Sequence, residues 1–267
     1  MINFISFGSG SSGNCYYLFN DEDSLIIDLG VGLRTLKKYF HEYGLQFERI
    51  HDILITHDHA DHVKSVGSIC QKMEVRIYST QEVHAGIDQN YCIRHKVPFS
   101  MRKYVEKNVP FDMGNFHVTP FEVPHDSNDN VGYKIEYKGL VFCIITDAGH
   151  VTDDIKQMIS DSNYLVIESN HDEEMLEAGP YPQHLKYRIS SPYGHLSNRA
   201  CADALCENAT EKLRHVWLCH LSDENNHPEL ARDTVAQILR AHGIVPGVDF
   251  GLDVLRRKAP SEIFELK

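Results

Sequence analysis

The chain lacks any uninterrupted apolar run near the roughly 18 residues that cross a bilayer. Its amino terminus, MINFISFGSGSSGNC, has no basic patch ahead of an apolar segment. No membrane association is expected, and cytoplasmic residence is the default. Paired cysteines are also missing. Cys15, Cys70, Cys92, Cys143, Cys201, Cys206 and Cys219 form no Cys-x-x-Cys motif, and seven is an odd number. They read as reduced, buried residues, not as a disulfide frame or a thiolate metal site. Positive charge is scarce as well: 26 Lys and Arg stand against 38 Asp and Glu, a net charge of −12. That excludes indiscriminate nucleic-acid binding through a uniformly basic surface and leaves room only for a local track. Segment 94–107 offers one, with Arg94, Lys96, Arg102, Lys103 and Lys107 against Glu106 alone. A solvated face explains that run equally well. With no low-complexity linker, Pro/Gly-rich hinge or solenoid repeat, residues 1–267 are expected to form a single domain.

What the sequence does contain is a recurring pattern. Short apolar runs end in a polar residue able to bind metal: LIID at Asp28, DILITH at His57, LVFCIITD at Asp147, YLVIE at Glu168 and VWLCH at His220. Continuous Val/Ile/Leu runs of this length suit strands buried on both faces. The stretches 75–80, 116–123 and 131–138 alternate as half-buried strands do. Helical patterns cover His62–Met73, Asp153–Ser160, Ser197–Glu211 and Pro228–His242, the last with proline in its first turn. Strands covered by helices imply an α/β layered sandwich, with a site where strand carboxyl ends let side chains converge.

The densest chemistry lies in THDHADH, where His57, His59, Asp61 and His62 directly follow a buried strand. Imidazole nitrogens and a carboxylate suit zinc or manganese, and also iron. Two such ions a few ångströms apart can clamp the attacking and leaving oxygens of one reaction. Crowding four polar groups at a strand end for packing alone would cost several kcal/mol.

The cluster resembles the signature of the metallo-β-lactamase superfamily, whose fold is a four-layer αββα sandwich. The resemblance extends in order along the chain. It implies His125 in VPHDS as the third ligand of one ion with His57 and His59. It further implies His220 in LCHLS with Asp61 and His62 on a second ion, and Asp147 in ITDAG as the bridge. Asp28 matches a position that supports the cluster from behind. GSGSSGNC near the start, IESNHD at 167–172, GHLSN at 194–198 and HLSDENNHP at 220–228 are similar to the YycJ/WalJ group. That group comprises exonucleases that degrade DNA from the 5′ end and are connected with DNA repair. Asp147 and His220 are too close in sequence for the β-CASP insertion of other nucleases of the superfamily.

The resemblance implies phosphodiester hydrolysis by in-line attack of water that Asp61 orients. His195, held by Glu168, would serve the departing oxygen. Ser11, Ser12 and Asn14 are candidate contacts to an anionic oxygen, although the same residues make a tight turn. Ser222, Asn225 and Asn226 are candidates for a flanking phosphate, with a structural role ahead of Pro228 as the competing reading. His171 is expected to be a hydrogen-bonded structural residue. Tyr181, Tyr187 and Tyr193 are available to stack a terminal base, though packing is the plainer expectation. The acidic charge favours a competing enzyme, a small-molecule hydrolase such as a thioesterase resembling glyoxalase II or a cyclic phosphodiesterase. A third reading, a metal-bound protein without turnover, is opposed by the intact ligand cluster.

Overall fold

Each of the five apolar runs is a strand in the computed structural model, which describes residues 1–267. The chain divides into two units. The first comprises residues 1–120, 127–131 and 256–267, the second residues 121–126 and 132–255.

The first unit begins with β1 (Ile2–Gly8), β2 (Cys15–Phe19), β3 (Ser24–Ile27), α1 (Leu33–Glu42) and β4 (Asp52–Leu54). It continues with α2 (Ala60–Val63), α3 (Val66–Cys70), β5 (Arg76–Ser79), α4 (Gln81–Gln89) and β6 (Arg102–Tyr104). Strands β1 to β3 are antiparallel neighbours, whereas β3 to β6 run parallel. Register aligns Ile26, Ile53 and Ile77 across the parallel strands, and all three are buried. Leu33, Leu36 and Phe40 of α1 recur at helical spacing and join the same core. A hairpin of β7 (Phe111–Met113) and β8 (Phe116–Glu122) follows.

The second unit carries β9 (Val131–Tyr137), β10 (Leu140–Ile145), α5 (Asp153–Asp161), β11 (Tyr164–Glu168) and α6 (Glu173–Ala178). Then come α7 (Gln183–Ile189), α8 (Asn198–Asn208), β12 (His215–Cys219), α9 (Pro228–Ala241) and β13 (Gly251–Val254). The strand order is β13-β12-β11-β10-β9, parallel except for the β9–β10 hairpin. Ile145, Ile167, Leu218 and Val254 align across it. Residues of α5, α8 and α9, among them Ile155, Leu205 and Val235, close over this core. The last strand, β14 (Phe264–Leu266), returns to pair antiparallel with β1.

The expected strands at 75–80, 116–123 and 131–138 are β5, β8 and β9. The helix expected over His62–Met73 is broken into α2 and α3. The reason lies in the loop after β3: Leu29 N–H donates to the His62 carbonyl, Ser65 N–H donates to the Leu29 carbonyl, and the Ser65 hydroxyl bonds the Val31 carbonyl. Those bonds satisfy groups that a continuous helix would pair with itself. Five cysteines are buried and Cys206 is half-buried; Cys92 departs from the expectation and is exposed.

Candidate metal centre

In the first unit, β4 delivers His57 just past its carboxyl end, and the first turn of α2 supplies Asp61 and His62. His57 and His62 are buried, with ring centroids 4.1 Å apart; the His59 ring stands edge-on to His57 at 4.7 Å. His62 Nδ1–H donates to Asp28 Oδ2 at 2.7 Å, between two side chains with no solvent exposure. This bond keeps the proton on Nδ1 and turns the Nε2 lone pair toward Asp61 and Asn14, and such a carboxylate partner orients and strengthens a metal-binding imidazole. Asp28 also accepts from Thr56 N–H (2.9 Å) and the Thr56 hydroxyl. The Thr56 oxygen lies 3.0 Å from His57 Nδ1.

Asn14 is fully buried, and its amide donates to His62 Nε2 at 2.8 Å and to Asp61 Oδ2 at 3.3 Å. Its Oδ1 accepts from Gly10 N–H. The expected substrate contact at Asn14 is therefore replaced by a role in positioning the ligands. Ser11 and Ser12 are exposed at the tip of the same turn. The seat of the cluster is a close backbone approach: a Cβ on Gly30 would lie 1.5 Å from the Asp61 carbonyl oxygen, so only glycine fits.

In the second unit, Asp147 follows β10, Glu168 ends β11 and His220 follows β12. With His195 they form a group whose ligand atoms all lie within 4.8 Å of one another. Glu168 is completely buried and accepts four hydrogen bonds. Oε1 takes His195 Nδ1–H (2.8 Å) and His220 Nδ1–H (3.0 Å); Oε2 takes Ala148 N–H (2.8 Å) and Leu196 N–H (3.2 Å). Burial alone would raise its pKa, but the His195 charge and the bonds from both histidines outweigh that and hold it at about 2. The carboxylate thus fixes two imidazoles through Nδ1, where the sequence pointed only to His195. His220 Nε2 stands 3.5 Å from Asp147 Oδ1, and Asn170 donates to the His220 carbonyl. His125 donates Nδ1–H to the Gly194 carbonyl, which directs Nε2 to 3.7 Å from Asp147 Oδ1.

Three backbone positions carry a further signature. Asp28 (φ 59°), Asp147 (φ 55°) and His220 (φ 53°) are non-glycine residues in the left-handed region, each within two residues of a strand's end. Such conformations cost on the order of 1–3 kcal/mol and cluster at functional sites. No motif spacing signals them.

The remaining expectations fare unevenly. Asn225 and Asn226 are buried: Asn226 Nδ2 donates to the Ser169 and Asn170 carbonyls, and Asn225 N–H bonds the half-buried Ser222 hydroxyl. These residues tie the loops around His220 together, and burial keeps both side-chain amides from a flanking phosphate. His171 is buried, but its Nδ1 has no hydrogen-bond partner, contrary to expectation, and burial pushes its pKa down to about 4. Tyr187 and Tyr193 are 77% and 60% exposed instead of packed. Two of the five cations in the run at 94–107 are neutralised and a third is held by carbonyls. Arg102 makes a two-pronged pair with Asp88, Lys107 meets Asp129 at 2.6 Å, and Lys96 caps the Ile87 and Asn90 carbonyls. Burial raises the Cys143 thiol to about 12 and lifts Cys219 well above its ordinary value, so both stay protonated and are poor ligands.

Comparison with known proteins agrees with this donor chemistry. Residues 24–220 match the model of the β-lactamase superfamily domain. The chain is 32% identical over 262 residues to a Bacillus anthracis protein named exodeoxyribonuclease YycJ, covering 98% of each. It is 32% identical to exodeoxyribonuclease WalJ of Streptococcus pneumoniae, covering 91% of this chain and 90% of the relative. Among solved structures, Zn(2+)-bound PqqB from Methylobacterium extorquens superposes with a TM-score of 0.73 at 17% identity, over 97% of this chain and 99% of the other. The metallo-β-lactamase fold protein YhfI from Bacillus subtilis superposes with a TM-score of 0.69 at 15% identity, over 97% of this chain and 98% of the other, which shows that fold and with it the expected α/β sandwich.

Proposed function

The chain belongs to the β-lactamase superfamily, and from that membership we propose that it is a dinuclear metal-dependent phosphodiesterase, an exonuclease that removes nucleotides from the 5′ end of DNA. The observation that carries the reading is Glu168, which holds His195 and His220 through Nδ1 and so sets the direction of Nε2 on each ring. The names of the two relatives support DNA as the substrate.

In this reading residues 1–267 act as one hydrolase domain. His57, His59 and His125 would hold one divalent ion, and Asp61, His62 and His220 the other, with Asp147 shared. The donor set fits: imidazoles with the proton fixed on Nδ1 and carboxylates suit zinc or manganese. Bound ions would supply Lewis acidity toward a phosphoryl oxygen and make water acidic enough to attack at neutral pH. The protein's own groups do the rest. Asp61, 21% exposed at its side chain, accepts a proton from water and aims it at phosphorus. His195, 13% exposed and anchored by Glu168, presents Nε2–H to the departing 3′ oxygen once protonated. Glu168, as a buried carboxylate, stabilises that imidazolium without itself taking the proton.

The test is release of mononucleotides from duplexes with phosphorylated or unphosphorylated 5′ ends, supplied with manganese or with zinc. Products appearing from the 5′ end, and lost in Asp61→Asn, are expected. No cleavage with either metal, alongside turnover of a thioester, would instead establish the small-molecule hydrolase.

A further inference from the structure

A second feature of the first unit lies beside the ligand cluster. A cavity of about 270 Å3 opens between the turn at Ser12–Gly13, the start of α1 and the segment after β13. Its charged lining is Lys64, Arg257 and Lys258, and no acidic residue contributes to it. In a chain of net charge −12 this is a concentration of one sign.

The lining is built, not incidental. Ser9 N–H donates to the Arg256 carbonyl at 3.1 Å, the Ser12 hydroxyl reaches the Arg257 carbonyl at 3.5 Å, and the Tyr39 hydroxyl reaches the Lys258 carbonyl at 3.3 Å. Backbone bonds therefore set where the Arg257 and Lys258 side chains start. Gly32, the N-cap of the ten-residue α1, also lines the cavity, and the first turn of that helix has no acidic residue, so its positive end adds to the field. Ser12 and Thr35 supply hydroxyls at the wall.

The cavity is tied to the metal-ligand cluster at two points. Gly13 adjoins Asn14, whose amide touches His62 and Asp61, and Lys64 stands two residues beyond His62. We propose that this groove binds the sugar–phosphate backbone of the substrate strand, Lys64, Arg257 and Lys258 each engaging phosphate charge. The inference rests on the nuclease reading above. It assigns strand gripping to residues outside the catalytic cluster and sequence-nonspecific contact to the grip, because phosphate carries no base information.

The experiment uses the full chain and a fluorescein-labelled single-stranded oligodeoxynucleotide, with anisotropy read across a salt series. Lys64→Ala/Arg257→Ala/Lys258→Ala is compared with wild type and with Arg94→Ala/Lys103→Ala, a control removing two exposed cations elsewhere. The triple variant is expected to raise Kd at least tenfold. It should also flatten the slope of log K against log salt by about 2, as loss of three phosphate contacts on a single strand requires. Its KM for DNA rises in parallel, while hydrolysis of bis(p-nitrophenyl) phosphate stays within twofold. Lys64 and Lys258 are exposed, so the single variants Lys64→Ala and Lys258→Ala give the same direction if the triple protein folds poorly. Unchanged Kd and slope, an equal loss in the control pair, or no binding by wild type overturns the groove. Binding through the groove without cleavage overturns the nuclease reading and leaves the groove standing; cleavage with unaltered KM does the reverse.

Discussion

At Asp28, one carboxylate sets the tautomer of His62 and anchors Thr56, from a backbone conformation at φ 59°. Asparagine tolerates that conformation, so Asp28→Asn isolates the side chain's chemistry from backbone strain. The variant is expected to fold and to lose metal affinity by 10- to 100-fold; elemental analysis after dialysis against defined zinc measures it, and undiminished metal content would remove Asp28 from the supporting role. His171 gives a pH signature. Its folded pKa of about 4 lies below the roughly 6.5 of an unfolded histidine, so the unfolded chain takes up the proton first. The stability this contributes is whole above pH 6.5 and falls as pH drops toward 4, by roughly 2–3 kcal/mol. Urea unfolding at pH 7 and pH 4.5 should show a larger loss in wild type than in His171→Phe.

Helices and strands show how local signals become positions. Ser197 was legible as a start signal because its hydroxyl accepts from Ala200 N–H, capping α8 at 3.1 Å. The same hydroxyl donates to Glu173 Oε1 at 2.8 Å. Since His195 and Leu196 lead directly into this cap, Ser197→Ala should cost about 1 kcal/mol in chemical denaturation. Hydrolysis should fall only modestly, because Glu168 holds His195 independently; a loss of activity as deep as that of Glu168→Gln would show that the cap, not the carboxylate, positions the imidazole. The break between α2 and α3 has the opposite lesson. Residues 62–73 carry an unbroken helical pattern, but the carbonyl of His62 is taken by Leu29, a partner no periodicity reveals.

For the molecule as a whole, the proposed ligands come from four separate strand ends, so bound metal would stabilise the folded chain against an unfolded one that lacks the set. Free metal at about 100 times Kd contributes about 2.7 kcal/mol, and for a chain of this size each kcal/mol moves Tm by about 2–4 °C. Chelation is therefore expected to lower Tm by several degrees in calorimetry and readdition to restore it; a Tm unmoved after complete metal removal would count against a ligand set spread along the chain.

By itself the sequence determined the α/β class, the strands that end at Asp28, His57, Asp147, Glu168 and His220, and the dense cluster at 57–62. These are matters of spacing and apolar periodicity, which neighbouring residues encode between themselves. Tertiary structure decided how the polar groups are used. It spent Asn14, Asn225 and Asn226 inside the fold, set the proton on Nδ1 of His62, His125 and His220, and neutralised Arg102 and Lys107. It also brought Lys64 and Arg257, far apart in the chain, to one groove. The physical reason is that a hydrogen-bond donor or a charge is defined by its partner, and these partners lie tens to hundreds of residues away.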